Sequence, residues 1–274
     1  MTGAGFSYGQ YYESMNHALK RLNNEYTMLH YPYYKNESDD FFQAQKNLTN
    51  HCISLFDTLE GKNVLEIGCG NGIQALYINE NYSPLSITGI DLSEANIKIA
   101  NLEKERTNAN NVNFIVDDAQ NLKSIPSNSI DILLNIESAF HYPDKYAFLK
   151  EVNRVLKPNG QYLIADILTR RKKKTGILNL WRNKMIYHFW NRSQYESELG
   201  NLKMENTHFE DITYHVIKGW SLYRNWLPQI KMNSIFQDVA FRLFYFINAR
   251  MNVFFLKRMQ QYCIYKGNKP DFQE

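Results

Sequence analysis

The chain has 274 residues, 44% of them hydrophobic and 22% charged, a composition that supports a sizeable core and argues against disorder. Its formal net charge of +3 is too small to imply a nucleic-acid partner, and none is expected. The three cysteines, Cys52, Cys69 and Cys263, show neither CxxC spacing nor an even framework, so no disulfide scaffold and no metal site are expected, and the setting is read as reducing and cytoplasmic.

In chain order, residues 1–60 are Tyr-rich and mostly helical in pattern, with MLHYPYY (28–34) as a loop. The N-terminus has no basic region followed by an apolar stretch, so no secretory signal is expected. From residue 61 the pattern alternates. KNVLEIG (62–68) is a short apolar run ending in Gly, and Ile73, Leu76, Tyr77 and Glu80 then follow at helical spacing. SITGID (86–91) predicts a second strand, and Leu92, Ala95, Ile99 and Leu102 a helix with Ser93 as its N-cap. NVNFIV (111–116) and SIDILLNI (129–136) predict two more strands. Phe148, Leu149, Val152, Val155 and Leu156 form one helix face, which KPNG (157–160) stops before a fifth strand, QYLIADIL (161–168).

Beyond this, residues 177–200 predict a helix rich in Trp and Tyr, 207–217 an edge strand, 221–257 a long aromatic helix and 258–267 a last strand. The basic run from Arg170 to Lys174 reads as solvated surface. Asp238, Arg242 and Arg250 interrupt the stretch 236–256, so it is not a membrane span; a lid helix is the preferred reading, with peripheral membrane contact left open. Strands that alternate with helices and are nearly continuous in apolar residues imply a parallel sheet covered on both faces. The expected fold is therefore α/β: a Rossmann-like, seven-stranded, mostly parallel sheet with helices on both faces and a helical cap. Its expected parts are an N-terminal helical lid (1–60), a cofactor-binding core (61–168) and a cap carrying the last strands (169–274).

VLEIGCGNGIQAL (64–76) places Gly68, Gly70 and Gly72 after the first strand, where an open parallel sheet binds its ligand. A dinucleotide fingerprint would need Gly at position 73, which is Ile, and a P-loop would need a Lys-Ser/Thr pair that does not follow. Acids end three strands. Glu66 would oppose a pyrophosphate and suits a cation, Asp91 can accept from both ribose hydroxyls, and the Asp117-Asp118-Ala119 run can meet an adenine amino group. A ligand with a positive charge, a ribose and a base satisfies all three. S-adenosylmethionine is such a ligand, with S-adenosylhomocysteine as its product.

VLEIGCGNG, GIDLS, VDDAQNL and EVNRVLKPNGQYLIAD, all within about residues 60–168, resemble the class I S-adenosylmethionine-dependent methyltransferases, in the small-molecule branch of ubiquinone, menaquinone and sterol methyltransferases. LLNIESAFHYPDKYAFLKEVNRVLKPNG is most similar to bacterial lipid and natural-product enzymes such as phthiotriolone and sugar O-methyltransferases. The resemblance implies that Glu66, Gly68, Cys69, Gly70 and Gly72 line the methionine and ribose. It further implies that Asp91 and Leu92 hold the ribose and flank the adenine, that Asp118 and Ala119 meet the adenine edge, and that Asn135 passes close to the methionine end. Asp117 is then a solvated neighbour.

Methyl transfer to a hydroxyl requires alignment and a base. His141 after the fourth strand and Asp166 at the end of the fifth are expected to converge on the acceptor, with Glu137 as a third catalytic candidate. Similar sugar-hydroxyl enzymes carry His and Asp at these positions. Tyr31, Tyr33 and Tyr34 are expected to gate the pocket and Trp181 to wall it, although each residue type is also common in packing. The expected activity is methylation of a hydroxyl on a small, lipophilic molecule in lipid or natural-product biosynthesis. Carbon methylation of a quinol or sterol-like lipid is the alternative within enzymes. A non-catalytic S-adenosylmethionine-binding regulator is the alternative outside them, and oligomeric state is left open.

Overall fold

The structure is a computed structural model that describes residues 15–21, 24–170, 187–222 and 235–271. Its centre is one sheet of seven strands in the order β3-β2-β1-β4-β5-β7-β6. These are β1 (Asn63–Ile67), β2 (Ser86–Asp91), β3 (Val112–Val116), β4 (Ile130–Ile136), β5 (Leu156–Thr169), β6 (Glu205–Asp211) and β7 (Gln260–Asn268). The pairings from β3 across to β5 are parallel, and β7 runs antiparallel to both β5 and β6. Described helices of named extent are α1 (Phe41–Ile53), α2 (Ile73–Tyr82), α3 (Glu94–Thr107), α4 (Lys145–Val155), α5 (Arg192–Asn201), α6 (Thr213–Leu222) and α7 (Ile235–Arg258), with a 3₁₀ turn at Ala139–His141.

The strands are apolar on both faces because each face meets a separate core. Val64, Ile132, Leu134, Leu163 and Ala165 pack into one, and Leu65, Leu133, Tyr162 and Ile164 into the other. Period-two alternation thus sorts neighbouring residues between two layers rather than between core and water. Strand order reverses at β1, with β2 on one side and β4 on the other. Beyond the carboxyl ends of β1 and β4 the connections diverge and leave a crevice.

Helix starts follow local chemistry. Ser93 accepts from the Asn96 amide at 3.3 Å and Asp144 from that of Ala147 at 2.9 Å, each satisfying an N-terminal donor of its helix. Helix α2 has no side chain at its N-cap, Gly72, which lies in the left-handed region at φ +79°; Asn71 Oδ1 accepts from the Ile73 amide at 3.2 Å instead. A β-carbon there would stand 2.6 Å from Ala100 Cβ and 2.7 Å from Phe114 Cζ, so only glycine lets the loop turn against α3 and β3.

Two local expectations are corrected. The edge strand expected over 207–217 ends at Asp211, whose carboxylate accepts from the Thr213 amide at 3.0 Å and from the Thr213 hydroxyl, turning the chain into α6. KPNG lies inside β5 rather than before it; Asn159 takes φ +61° and the β4–β5 register shifts between Ile130 and Ile132. Trp181, and the expected helix before residue 187, lie outside the described residues.

Behind the sheet, Lys145 and Asp166 form a fully enclosed ion pair with Nζ to Oδ2 at 2.8 Å. The Tyr195 hydroxyl donates to the same oxygen at 2.6 Å, the Ile167 amide donates to Oδ1 at 2.8 Å, and Lys145 also donates to the Ala139 carbonyl. Asp166→Ala would leave the lysine buried without its counter-ion and is expected to cost about 3–5 kcal/mol in urea denaturation. Paired Lys145→Met and Asp166→Leu substitutions should lose much less, because both charges leave together.

Candidate functional site

The crevice holds a cleft lined by the glycine loop (68–71), Gln74, Asp91, Asn96, residues 136–138 at the end of β4, and Met28, Leu29 and His30 from the N-terminal segment. Asp91 organises its floor. Oδ2 accepts from the Gly70 amide at 3.0 Å; Oδ1 accepts from the Ser93 amide at 2.8 Å and from Asn96 Nδ2 at 3.3 Å. Burial raises its pKa, opposed by these donors.

Glu66 occupies the same strand face as Val64, within an apolar layer. It is 2% exposed and its Oε2 has no hydrogen-bond partner. Burial, with Asp91 adding repulsion, pushes its pKa up to about 8. A buried carboxyl without a donor is costly, and a ligand cation or N–H group would relieve it. Among the described residues no Lys or Arg lines the cleft, and burial lowers His30 to about 4, leaving it neutral. The described lining therefore offers carboxyl groups and no counter-ion for an anion, and it suits a ligand that brings positive charge or N–H donors.

The N-terminal segment is fastened across this floor by amides. Asn71 Nδ2 donates to the Thr27 carbonyl and to Asn16 Oδ1, both at 2.8 Å, and Asn16 Nδ2 donates to Asn96 Oδ1 at 3.1 Å. Gln45 Nε2 donates to the Met28 and His30 carbonyls at 2.5 and 3.1 Å, and the His30 ring meets Thr49 Oγ1 at 3.2 Å. Glu137 completes the attachment: its Oε2 accepts from the Tyr31 amide at 2.6 Å and from the Tyr262 hydroxyl at 3.1 Å. Burial drives the Glu137 carboxyl well above its usual range, against those two donors. At φ +61°, it holds a backbone conformation that non-glycine residues seldom adopt, a strain of the kind that collects at working sites.

The expected residues are not all brought together. The glycine loop, Asp91 and Glu137 line the crevice, and Glu66 is buried near Asp91. Asn135 lies beneath it, with Nδ2 donating to the Ile67 carbonyl at 3.0 Å and to Ser138 Oγ at 2.7 Å, and with its buried Oδ1 unpartnered. Leu92 is 68% exposed next to Asp91, and Ala119 is buried. Asp118 accepts from the Gln120 amide at 2.9 Å, whereas Asp117 accepts from the Ser124 amide at 2.9 Å and shapes the loop. His141 ends the 3₁₀ turn, its ring 4.3 Å from that of Phe140 and 5.3 Å from that of Tyr187, at the side of the cleft rather than on its lining.

Asp166 does not converge with His141. Its carboxylate is consumed by Lys145, Tyr195 and the Ile167 amide, so it holds the interior rather than meeting an acceptor. Tyr33 and Tyr34 are also corrected: both are buried, and Tyr33 is stacked between His51 at 5.0 Å and His215 at 4.3 Å, so they anchor the segment instead of gating it. Only Tyr31 reaches the cleft's edge, through its amide. Asn16, His30, Gln45, Asn71 and Asn96 were not anticipated; the one legible signal was Asn71, which stands between Gly70 and Gly72.

Residues 65–164 match the family model described as a methyltransferase domain. The phthiotriol/phenolphthiotriol dimycocerosates methyltransferase of Mycobacterium tuberculosis is 39% identical over 130 residues, 47% of this chain and 46% of that protein. The fatty-acid O-methyltransferase of Mycolicibacterium smegmatis is 38% identical over 134 residues, 49% and 47% of the two chains. The chain thus spans about half the length of these curated relatives. Among solved structures, the [4+2]-cyclase SpnF superposes with a TM-score of 0.78 at 22% identity, covering 96% of this chain and 95% of that one. It shares the fold.

Because Glu66 titrates higher folded than unfolded, the folded chain retains a proton that the unfolded chain releases between about pH 4.5 and 8. Its contribution is full below that window and is lost as pH rises through it. Stability should fall by up to about 1.4 kcal/mol per pH unit there from this group. Denaturant titrations from pH 5 to pH 8 should show Glu66→Gln with a shallower decline.

Proposed function

We propose that the methyltransferase domain is an active S-adenosylmethionine-dependent enzyme that methylates a hydroxyl of a small, largely apolar molecule. The observation that carries this reading is the buried, unpartnered Glu66 carboxyl oxygen beside Asp91, next to a cleft with no Lys or Arg among its described lining residues. When bound, S-adenosylmethionine supplies an electrophilic methyl group on a sulfonium that is already a good leaving group. Glu66, Gly68, Cys69, Gly70 and Gly72 would hold its methionine and ribose, Asp91 and Leu92 the ribose and one adenine face, Asp118 and Ala119 the adenine edge, and Asn135 the methionine end. The division into a lid (1–60), a core (61–168) and a cap (169–274) belongs to the same proposal.

Fold likeness does not choose the reaction, since a named cyclase shares the architecture. The acids do more. A described cleft lining with Asp91 and Glu137, and with no Lys or Arg, offers an anionic acceptor no counter-ion, so a neutral alcohol fits better than a free fatty acid, the substrate class named for one relative. The phthiotriol enzyme's name points to a lipid alcohol, which agrees with that charge argument. In this reading His141 takes the proton released by the hydroxyl, while Glu137, in contact with the cover, keeps the donor and acceptor enclosed; Asp166 acts through Lys145 as a positioning residue. Alignment of the hydroxyl with the methyl carbon supplies the larger share, of the order of 7–11 kcal/mol where geometry is ideal.

Calorimetric titration with S-adenosylmethionine tests the cofactor, and labelled methyl transfer to long-chain alcohols, phenols and quinols tests the acceptor. Asp91→Ala is expected to weaken cofactor binding by tenfold or more, since it removes a buried acceptor of ligand hydrogen bonds at about 1.5–3 kcal/mol. His141→Ala should leave that binding unchanged and lower turnover by about 10²-fold or more. Full turnover in His141→Ala would remove the base assignment and favour carbon methylation; absence of binding by the intact chain would remove the enzyme reading.

A further inference from the structure

Eleven large hydrophobic side chains are conspicuously exposed among the described residues, and five of them sit on one helix: Val239, Leu243, Phe246, Ile247 and Phe254 of α7, at 39–61% exposure. At 100° per residue these five fall within about one third of the helix circumference. The opposite side is anchored, with Asn248, Phe255 and Leu256 buried beneath the helix. Among the described residues, the helix is therefore held by its back, and its apolar front is left exposed. Apolar patches of this kind on a folded chain mark contact surfaces.

Charge on the same face selects the partner. Arg250, Lys257 and Arg258 share this sector and are exposed, and the acid of α7, Asp238, projects outside it. Two of the cations lie across the aromatic members: the Arg250 guanidinium is 5.4 Å from the Phe246 ring centroid, and that of Arg258 is 5.4 Å from the Phe254 centroid. Long basic side chains lying along apolar rings can carry their charge to a headgroup layer while the rings enter the acyl boundary. Two copies of the face brought together would oppose cation to cation. No described helix is long and apolar enough to cross a membrane, so contact with one would be made from the side.

We propose that the exposed face of α7 docks the protein on an anionic lipid bilayer surface, with Val239, Leu243, Phe246, Ile247 and Phe254 entering the interface and Arg250, Lys257 and Arg258 pairing with lipid phosphates. This rests on the proposed function only for its purpose, which is to bring a lipophilic alcohol to the cleft directly from the membrane. The docking itself requires neither cofactor nor turnover.

The test is co-sedimentation of the full chain with phosphatidylcholine vesicles with and without phosphatidylglycerol, at low and high salt and without S-adenosylmethionine. Binding to the anionic vesicles is expected, weakened by salt and by about tenfold or more in Arg250→Glu with Arg258→Glu. Phe246→Ser with Ile247→Ser should bind comparably weakly, whereas Leu85→Ser, at a lone exposed leucine elsewhere, should bind as the parent does. Circular dichroism melts confirm that each variant is folded. Equal retention by neutral vesicles, or no retention by either, overturns the proposal. So does a salt-resistant dimer in velocity sedimentation that Phe246→Ser with Ile247→Ser abolishes, which would assign the face to a second copy. Cofactor titration of the same variants separates the two readings, because a failed docking with intact S-adenosylmethionine binding leaves the enzyme proposal standing.

Discussion

The carboxylate of Asp91 is the joint on which the site is assembled. A single side chain at the end of β2 accepts from the glycine loop through Gly70, from the start of α3 through Ser93, and from Asn96, which is itself bonded to Asn16 of the N-terminal segment. Loop, helix and cover are thereby referred to one charged point. Backbone donors are the right partners for this task because they hold position with little loss of side-chain freedom, and a charged acceptor strengthens each bond.

The electrostatic character of the cleft follows from the sheet. Parallel strands covered on both faces leave their carboxyl ends as the place where polar residues can gather, so Asp91 at the end of β2 and Glu137 just past β4 line one cleft, with Glu66 of β1 buried near Asp91. Burial there raises the cost of ionising a carboxyl, and for Glu66 the repulsion of Asp91 adds to it, which together push its pKa up to about 8. The folded chain stores that penalty until a partner of opposite sign relieves it. Affinity for a cation or an N–H donor is thus built into the fold as an unmet demand at the Glu66 carboxyl.

Much of this was legible in the residues because it is local. The alternation of runs such as KNVLEIG and SITGID with helical spacing announces a parallel sheet, and the strand-end acids announce the cleft, since strand termini and ligand positions coincide in this architecture. The fate of Asp166 was not legible: its partners Lys145 and Tyr195 lie 21 and 29 positions away and join it only when α4 and α5 pack behind β5. The tyrosines of MLHYPYY were misread for a related reason. Composition marks them as aromatic contacts but not whether the contact is a ligand or, for Tyr33, a pair of histidine rings on α1 and α6. The amides that fasten the cover carry no motif because asparagine and glutamine are ordinary surface residues until tertiary structure buries them.

Glu137 grips the cover at residue 31 through the peptide nitrogen rather than the phenol. Every amino acid except proline offers that nitrogen, so the fastening is indifferent to which side chain position 31 carries. The Tyr31 ring has a separate task, packing against the core with its centroid 6.2 Å from that of Tyr262. The hold on the cover is thus written in the backbone and the packing in the side chain, and proline at this position would remove the hold by removing its donor.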